Sequence, residues 1–441
     1  MAEQNFNNQQ MGEQYAKLMQ SALKQVGDKK EEKKTKKKKE PDIVLEAEGR
    51  FVLTDGAGNE IESGQAKIAL DEEKISILSE SGKATPLLLG DISELVAEDF
   101  KIDLSLSGGG KTVISELGYK YDDLVRELTK FRHEIIQKEL LMKEGGGKGS
   151  FKGNYVCKKD GKESSGEAEV EVSDTGLTIK PKKGDLIRIS FAEINDFSKK
   201  DYAISITAES VEVVLSHFGE RFDSLSQAIS ESLNELSLKT QEILKRILSE
   251  SDPLTIKKAS ELLKDGQAVS KEAIDKVSSS IWSALEKKLG ELEIKESYDY
   301  LMSLSKTKQV FLGIKRDLMG DLTGEYIWFL IPVNSQKGEF LAMEAASTAE
   351  GGSKATYFFK IPESEKAEAL VKKINSCMIA INFRREPIYL KDEDLDKPEY
   401  SKYKTAVGRI PELKLLRQLF AGRVVHSSPE EWKKSVNELI S

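Results

Sequence analysis

The chain has 441 residues, 39% hydrophobic and 32% charged, with a formal net charge of −8. That length holds two to four domains, and the balance leaves each enough apolar side chains for a core, which excludes a wholly disordered chain. Two cysteines 220 residues apart, Cys157 and Cys377, and three histidines exclude a disulfide framework and a Cys/His zinc site.

Residues 1–41 read as a basic tail that stays disordered until it meets a partner. The first twenty have no apolar run or cleavage pattern, so they are not a signal peptide. Met11, Tyr15, Leu18, Met19, Ala22 and Val26 fall at the spacing of a weak amphipathic helix. Residues 29–40 read KKEEKKTKKKKE: Lys29, Lys30, Lys33, Lys34, Lys36, Lys37, Lys38 and Lys39 against three glutamates give +5, so the remainder carries −13. An acidic body with a basic arm argues against nucleic-acid binding by the folded part. The arm is a separate electrostatic element, able to attract anionic lipid, RNA or an acidic protein at about 1 kcal/mol per basic residue near an anionic surface. A solvated spacer is the alternative.

Residues 42–147 change character. GRFVLTDGAGNE, QAKIALDEE, KISILSESGKA, TPLLLGD, ISELVAED, FKIDLSLSGGG and KTVISELG are short β-favouring runs set apart by turns, with Asp55-Gly56 and Ser81-Gly82 as hairpin dipeptides. Seven such runs predict a sandwich or barrel. The period then changes from two to 3.6: Tyr121, Leu124, Leu128, Phe131 and Ile135 share one helical face. The string SLSGGGKT, residues 105–112, tempts a phosphate-loop reading. Its first position is serine, however, and VISEL after it reads as a strand, so a hairpin turn is expected and nucleotide binding is rejected.

Residues 148–250 repeat the pattern after the glycine joint at 145–149. NYVCKKDGKE, EAEVEVSDTG, LTIKPKKGD, LIRISF, INDFSKKD, YAISIT and VEVVLSHFG supply strands and turns, and Phe222, Leu225, Ile229, Leu233 and Leu236 supply a helix face. The two stretches align at an offset of 101 to 102. Ile92 matches Ile194, Phe100 matches Tyr202, Gly118 matches Gly219, and Tyr121-Asp122 matches Phe222-Asp223. Each glycine ends the last strand, each aromatic anchors the first helical turn, and each Asp lies at the favourable end of the helix dipole. His133 and His217 are not equivalent and are expected in surface or cap roles.

Residues 251–305 read as a helical connector. Asp252-Pro253 starts a helix, Asp265-Gly266 turns it, and Ile281, Trp282 and Leu285 stripe the next one. Residues 306–441 read as an α+β domain, either a diverged third copy or another fold. VFLGIK, YIWFLIPV, EFLAMEAA and ATYFFKIP are its strands, 363–381 and 429–440 its helices. The apolar run at 326–333 is too short to span a bilayer. Five of the twelve arginines, Arg384, Arg385, Arg409, Arg417 and Arg423, fall within residues 384–423. Arg384 and Arg385 precede an expected strand at PIYL, and Arg423 and His426 precede the last helix. Arginine's planar fork suits carboxylate or phosphate, which makes Arg384, Arg385, Arg423 and His426 anion-binding candidates. Structural ion pairs with Glu386, Asp392, Glu393, Asp394 and Glu399 are the competing reading.

Seven short strands, a C-terminal amphipathic helix and a Gly-x-x-aromatic-Asp corner, twice over, resemble the pleckstrin-homology-like superfold, across residues 43–144 and 150–249, in a tandem protein of bacterial type. The pairing is also similar to the middle modules of eukaryotic histone chaperones, and residues 254–290 resemble short bacterial helical hairpins. The superfold implies binding of lipid headgroups, peptides or protein surfaces, and no chemistry. Lipid binding in it needs a basic first hairpin. The first copy has LTDGAGNEIESG, which is acidic, whereas the second has CKKDGKESSGE, so Lys158, Lys159 and Lys162 are the headgroup-contact candidates.

The sequence therefore predicts an α+β protein of two tandem modules, a helical connector and a C-terminal α+β domain. The expected role is that of a cytoplasmic, non-enzymatic scaffold for a protein or peptide partner, without cofactor, metal, nucleic acid or transmembrane segment. Peripheral binding to anionic membrane through the arm and the second module is one alternative. An enzyme or anion site in the C-terminal domain is another, and a histone- or nucleic-acid-related role a further one.

Overall fold

Strand alternation fixes the first sheet. In the computed structural model, which describes residues 42–107, 109–139, 147–159, 161–209, 211–315, 326–347, 355–397 and 400–441, β1 (Leu45–Thr54), β2 (Glu60–Leu70), β3 (Lys74–Ser79), β4 (Ala84–Leu88), β5 (Ile92–Glu98), β6 (Lys101–Leu106) and β7 (Lys111–Ser115) form one antiparallel sheet. Its order is β4-β3-β2-β1-β7-β6-β5. Every second residue points inward: Ile68 and Leu70, Ile75 and Ile77, Ile102 and Leu104 are all buried. The sheet curls into a half-barrel, and α1 (Tyr121–Glu139) closes it with Tyr121, Leu124, Leu128 and Phe131.

β8 (Gly147–Lys159), β9 (Lys162–Ser173), β10 (Gly176–Pro181), β11 (Ile187–Ser190), β12 (Ile194–Lys200), β13 (Ala203–Ala208) and β14 (Val211–Ser216) repeat that order as β11-β10-β9-β8-β14-β13-β12. α2 (Phe222–Ile247) takes the place of α1. The likeness reaches single residues. Asp99 and Phe100 have left-handed φ of 49° and 59°, and Asp201 and Tyr202 match them at 52° and 57°. Gly49 and Gly153 each sit where a Cβ would come within 2.7 Å of a carbonyl on the neighbouring last strand, that of Ser115 or Ser216. SLSGGGKT is the β6–β7 hairpin, with Leu106 N–H donating to Gly110 O at 3.1 Å. It does not lead into a helix, and the phosphate-loop reading stays rejected.

The third sheet has another topology. α3 (Pro253–Leu262), β15 (Ala268–Ser270), α4 (Lys271–Val277), α5 (Ser279–Glu291) and α6 (Lys295–Leu304) precede β16 (Phe311–Lys315), β17 (Tyr326–Ser335), β18 (Gly338–Ser347) and β19 (Ala355–Lys360). Then come α7 (Ala367–Ala380), α8 (Glu386–Tyr389), α9 (Asp392–Leu395), α10 (Ser401–Arg409), α11 (Pro411–Leu419), β20 (Phe420–Val425) and α12 (Pro429–Ile440). The order is β15-β16-β17-β18-β19-β20, and it does not repeat that of the first two sheets. Both faces are buried. Phe329, Ile331 and Phe358 pack with α5, α6 and α12, while Trp328, Leu330 and Phe359 pack with α7 and α11. This is why residues 326–333 read as an unbroken apolar run.

Two expectations change here. The stretch read as helix, turn, helix at 254–290 contains β15, whose Ala268 N–H and C=O are met by the Asn375 side-chain amide at 3.1 and 3.0 Å. A polar side chain on α7 thus satisfies an edge that would otherwise be buried bare. PIYL is not a strand but the helical turn α8. Pro387 suits a first turn, and the neighbouring edge of β19 is already taken by β20. By contact, Leu45–Ser441 form one unit.

Candidate functional site

Two places collect polar side chains. The first is a cleft of about 610 Å³ between α1 of the first module and β8, β9 and β10 of the second. Arg126, Thr129, Lys130, His133 and Glu134 line it from the helix; Lys152, Asn154, Glu167, Glu169, Lys180, Lys182 and His217 line it from the second module. Five Lys/Arg and three carboxylates line the cleft; Arg126 pairs with Asp123 and Glu127, Lys130 with Glu127, Lys180 with Glu171 and Lys182 with Glu167.

Its floor is fixed by buried polar contacts. Arg132 is fully buried; its guanidinium donates to Asp185 in the β10–β11 corner and to the carbonyls of Ile92 and Ser93 at 3.4 and 3.1 Å. His133 is 4% exposed, so it is not the surface residue expected; its Nε2 donates to Gly184 O at 3.0 Å. Burial lowers the His133 imidazole from 6.5 to about 4, which keeps it neutral at pH 7. Gln137 donates to Glu171 at 3.1 Å, and Lys183 reaches Asp122 at 3.4 Å. No local signal marked this seam, because the corner that buries Arg132 and His133 lies some fifty residues later in the chain.

The second place is the C-terminal arginine group. The third sheet divides the four candidates. Arg423 lies opposite Tyr357 in the β19–β20 register. On that face the Arg423 guanidinium stacks 4.0 Å from the Tyr389 ring centroid, and Arg385 lies 5.6 Å from that of Tyr357. Burial pushes the Tyr357 hydroxyl above the ordinary phenol range, with Arg385 and Arg423 both near enough to oppose the shift. Tyr403 is likewise raised by burial, and Arg384 opposes it. Among the described residues, no carboxylate lies within 4.0 Å of Arg384, Arg385 or Arg423. Asp392 is taken by Arg417 at 2.7 Å, and Asp394 by Lys397 at 2.6 Å.

His426 belongs to the other face. Its Nε2 is 2.7 Å from the fully buried Glu344, and its ring stacks on Trp432 at 5.2 Å. Thr356 donates to Glu344 and accepts from Trp432 Nε1, at 3.1 Å, so the hydroxyl is fully used. This chain of donors ties α12 to the sheet. Arg423 and His426 stand together in the sequence before the last helix, but a step of three residues along an extended chain changes the face.

Lys158, Lys159 and Lys162 stand at the β8–β9 hairpin. Lys158 approaches Glu163 at 3.5 Å, while Lys159 lies directly opposite Lys162. The eight arm lysines lie outside the described residues. Both cysteines are free and buried, and burial raises both thiols, which disfavours thiolate. Among the described residues, no three His, Cys, Asp or Glu gather as a metal site, and no helix is long and apolar enough to cross a membrane. No protein-family model matches the chain, and no curated protein matches it as a relative.

Proposed function

We propose that this chain is a non-catalytic interaction protein whose two half-barrel modules are pleckstrin-homology-like, and that a protein partner places an acidic, extended segment in the cleft between them. The observation that carries the reading is that the cleft is built jointly. Its helical wall comes from one module and its sheet wall from the other, so the tandem makes a surface that neither module has alone. The lining Lys/Arg, which pair with neighbouring carboxylates in the free chain, would exchange those partners for an acidic segment, and such charges set encounter rate more than final affinity. A photo-cross-linker at Asn154 in the full chain, activated in its own cells, is expected to yield one stoichiometric protein adduct. The same group at Ser81, an exposed residue of the β3–β4 turn in the first module, should not. Absence of a protein adduct at Asn154, or equal adducts at both positions, would overturn the reading.

A second reading has its own observation. Lys159 and Lys162 face each other across the β8–β9 hairpin, and like charges in that position are destabilising unless an anion relieves them. Peripheral contact with anionic lipid through these residues, Lys158 and the arm would do so. Sedimentation with anionic vesicles tests it: binding should fall when residues 29–39 are removed, and unchanged binding would eliminate the arm's part.

A further inference from the structure

Among the described residues, the arginine group on the third sheet has no carboxylate counterion. Two guanidiniums, those of Arg385 and Arg423, meet at Tyr357 and Tyr389, and that of Arg384 lies by Tyr403, with no carboxylate within 4.0 Å of the three among the described residues. Arg423 is exposed, and Arg384 and Arg385 are half-buried, so the group is open to a ligand. Its members are also held in place. Arg423 is set by the β19–β20 register opposite Tyr357 and stacks on Tyr389. Arg385 lies against Tyr357, and Arg417 anchors the following turn by donating to Pro387 O at 2.6 Å.

Like charges brought together cost energy that the described residues do not offset with a carboxylate, and an anion removes that cost. A carboxylate offers one charge and two oxygens. A phosphate monoester offers close to two charges and three terminal oxygens, which match several guanidinium forks at once. Ordered side chains lose little freedom on binding, so more of the interaction appears as affinity.

We infer that Arg384, Arg385 and Arg423, oriented by Tyr357, Tyr389 and Tyr403, form a binding site for a phosphate monoester. The site lies on the opposite face of the sheet from His426, and it stands or falls independently of the inter-module cleft.

Calorimetric titration of the full chain tests it, with inorganic phosphate, glycerol 3-phosphate, a phosphoserine peptide and acetate as probes. Both esters should bind saturably below about 10 mM and more tightly than acetate, and the tighter of the two names a small-molecule or protein source. Affinity should fall by about tenfold or more in Arg385→Gln and Arg423→Gln, and only partly in Arg423→Lys, which keeps charge but loses the fork. Lys276→Gln, on α4, should bind as the natural chain does. Arginine does not titrate in the accessible range, so affinity should weaken as pH drops through about 6, where the ester takes up a proton. Unchanged melting temperatures separate lost binding from lost folding. Acetate binding as tightly as the esters, no saturation in that range, or full affinity in both glutamine variants would overturn the inference.

Discussion

The two half-barrels have the same strand order, the same left-handed turns and the same closing helix, yet they use that helix differently. At an offset of 101, Arg132 and His133 of α1 correspond to Leu233 and Asn234 of α2. Arg132 and His133 are buried against the second module's β10–β11 corner; Leu233 is half-buried and Asn234 exposed. The corners differ in the same way. Gly184 accepts from His133, whereas its counterpart Gly82 is exposed. α2 instead runs on for 26 residues, and Ile243 and Leu244 join the core of the third sheet. A repeated fold thus supplies the walls, and a few substitutions on one helical face decide which wall becomes a joint.

Removing Arg132 should have the largest effect. Arg132→Ala deletes a fully buried cation that serves Asp185, Ile92 and Ser93; Ile92 O keeps the Arg409 guanidinium, whereas the Ser93 carbonyl is left short of a donor. Asp185 is half-exposed and water takes Arg132's place on it, so the cost is that of the lost charge-assisted hydrogen bonds, about 2–3 kcal/mol. At the matching position, Leu233→Ala trims a half-buried apolar side chain, for about 1–2 kcal/mol. Urea denaturation of both variants measures the difference. If Leu233→Ala proves as costly as Arg132→Ala, the helix of the first module is not the joint.

The sequence showed the repeat because its causes are local. Alternating apolar residues, turn dipeptides and the corner glycine are set within a few residues, so the seven strands and the helix faces of both modules were readable in order. The buried Arg132 and His133 were not. Their environment comes from a corner some fifty residues later in the chain, and an Arg-His pair on a helix reads as solvated when that corner is unknown. The C-terminal arginines were visible by type, because the rest of the chain prefers lysine. Their division between two sheet faces needed the β19–β20 register, as did Tyr357, Tyr389 and Tyr403, which no spacing rule connects.

Acid should open the joint next. Burial holds the folded His133 near 4 against an unfolded value of 6.5; Arg132 and Lys180 also lower it, while the Gly184 carbonyl and Asp185 raise it. The folded value is the lower one, so the unfolded chain takes up the proton first. The stabilisation is complete above about pH 6.5 and is lost as pH falls from there to about 4, at up to ~1.4 kcal/mol per pH unit and ~3 kcal/mol in all. Carboxylates titrate in the lower part of that window too, so the quantity to measure is the difference in urea midpoint between the natural chain and His133→Gln at pH 7, 5.5 and 4. That difference should shift steadily in the variant's favour on acidification. Asn234→His places an imidazole at the exposed equivalent and should add no such slope. Parallel pH profiles for the natural chain and His133→Gln would remove the histidine from the joint.

The smallest effect tests what the modules share. Phe100 and Tyr202 are 74% and 79% exposed, and each has a left-handed backbone that a bulky side chain adopts at a cost. Each ring also rests on the first residue of its closing helix, Phe100 on Tyr121 at 5.4 Å and Tyr202 on Phe222 at 5.6 Å. The contact ties the β5–β6 or β12–β13 turn to the helix start and offsets the turn's strain. Alanine at either position loses the ring, worth about 0.5–1.5 kcal/mol, and keeps the strained φ. Glycine loses the same ring but relieves the strain by about 1 kcal/mol. Phe100→Gly should therefore be milder than Phe100→Ala, and Tyr202→Gly milder than Tyr202→Ala, by similar amounts in melting experiments. A reversed order in one module alone would show that the repeat is one of strand order only. The same order in both would show that each copy keeps an exposed aromatic because the closing helix needs it.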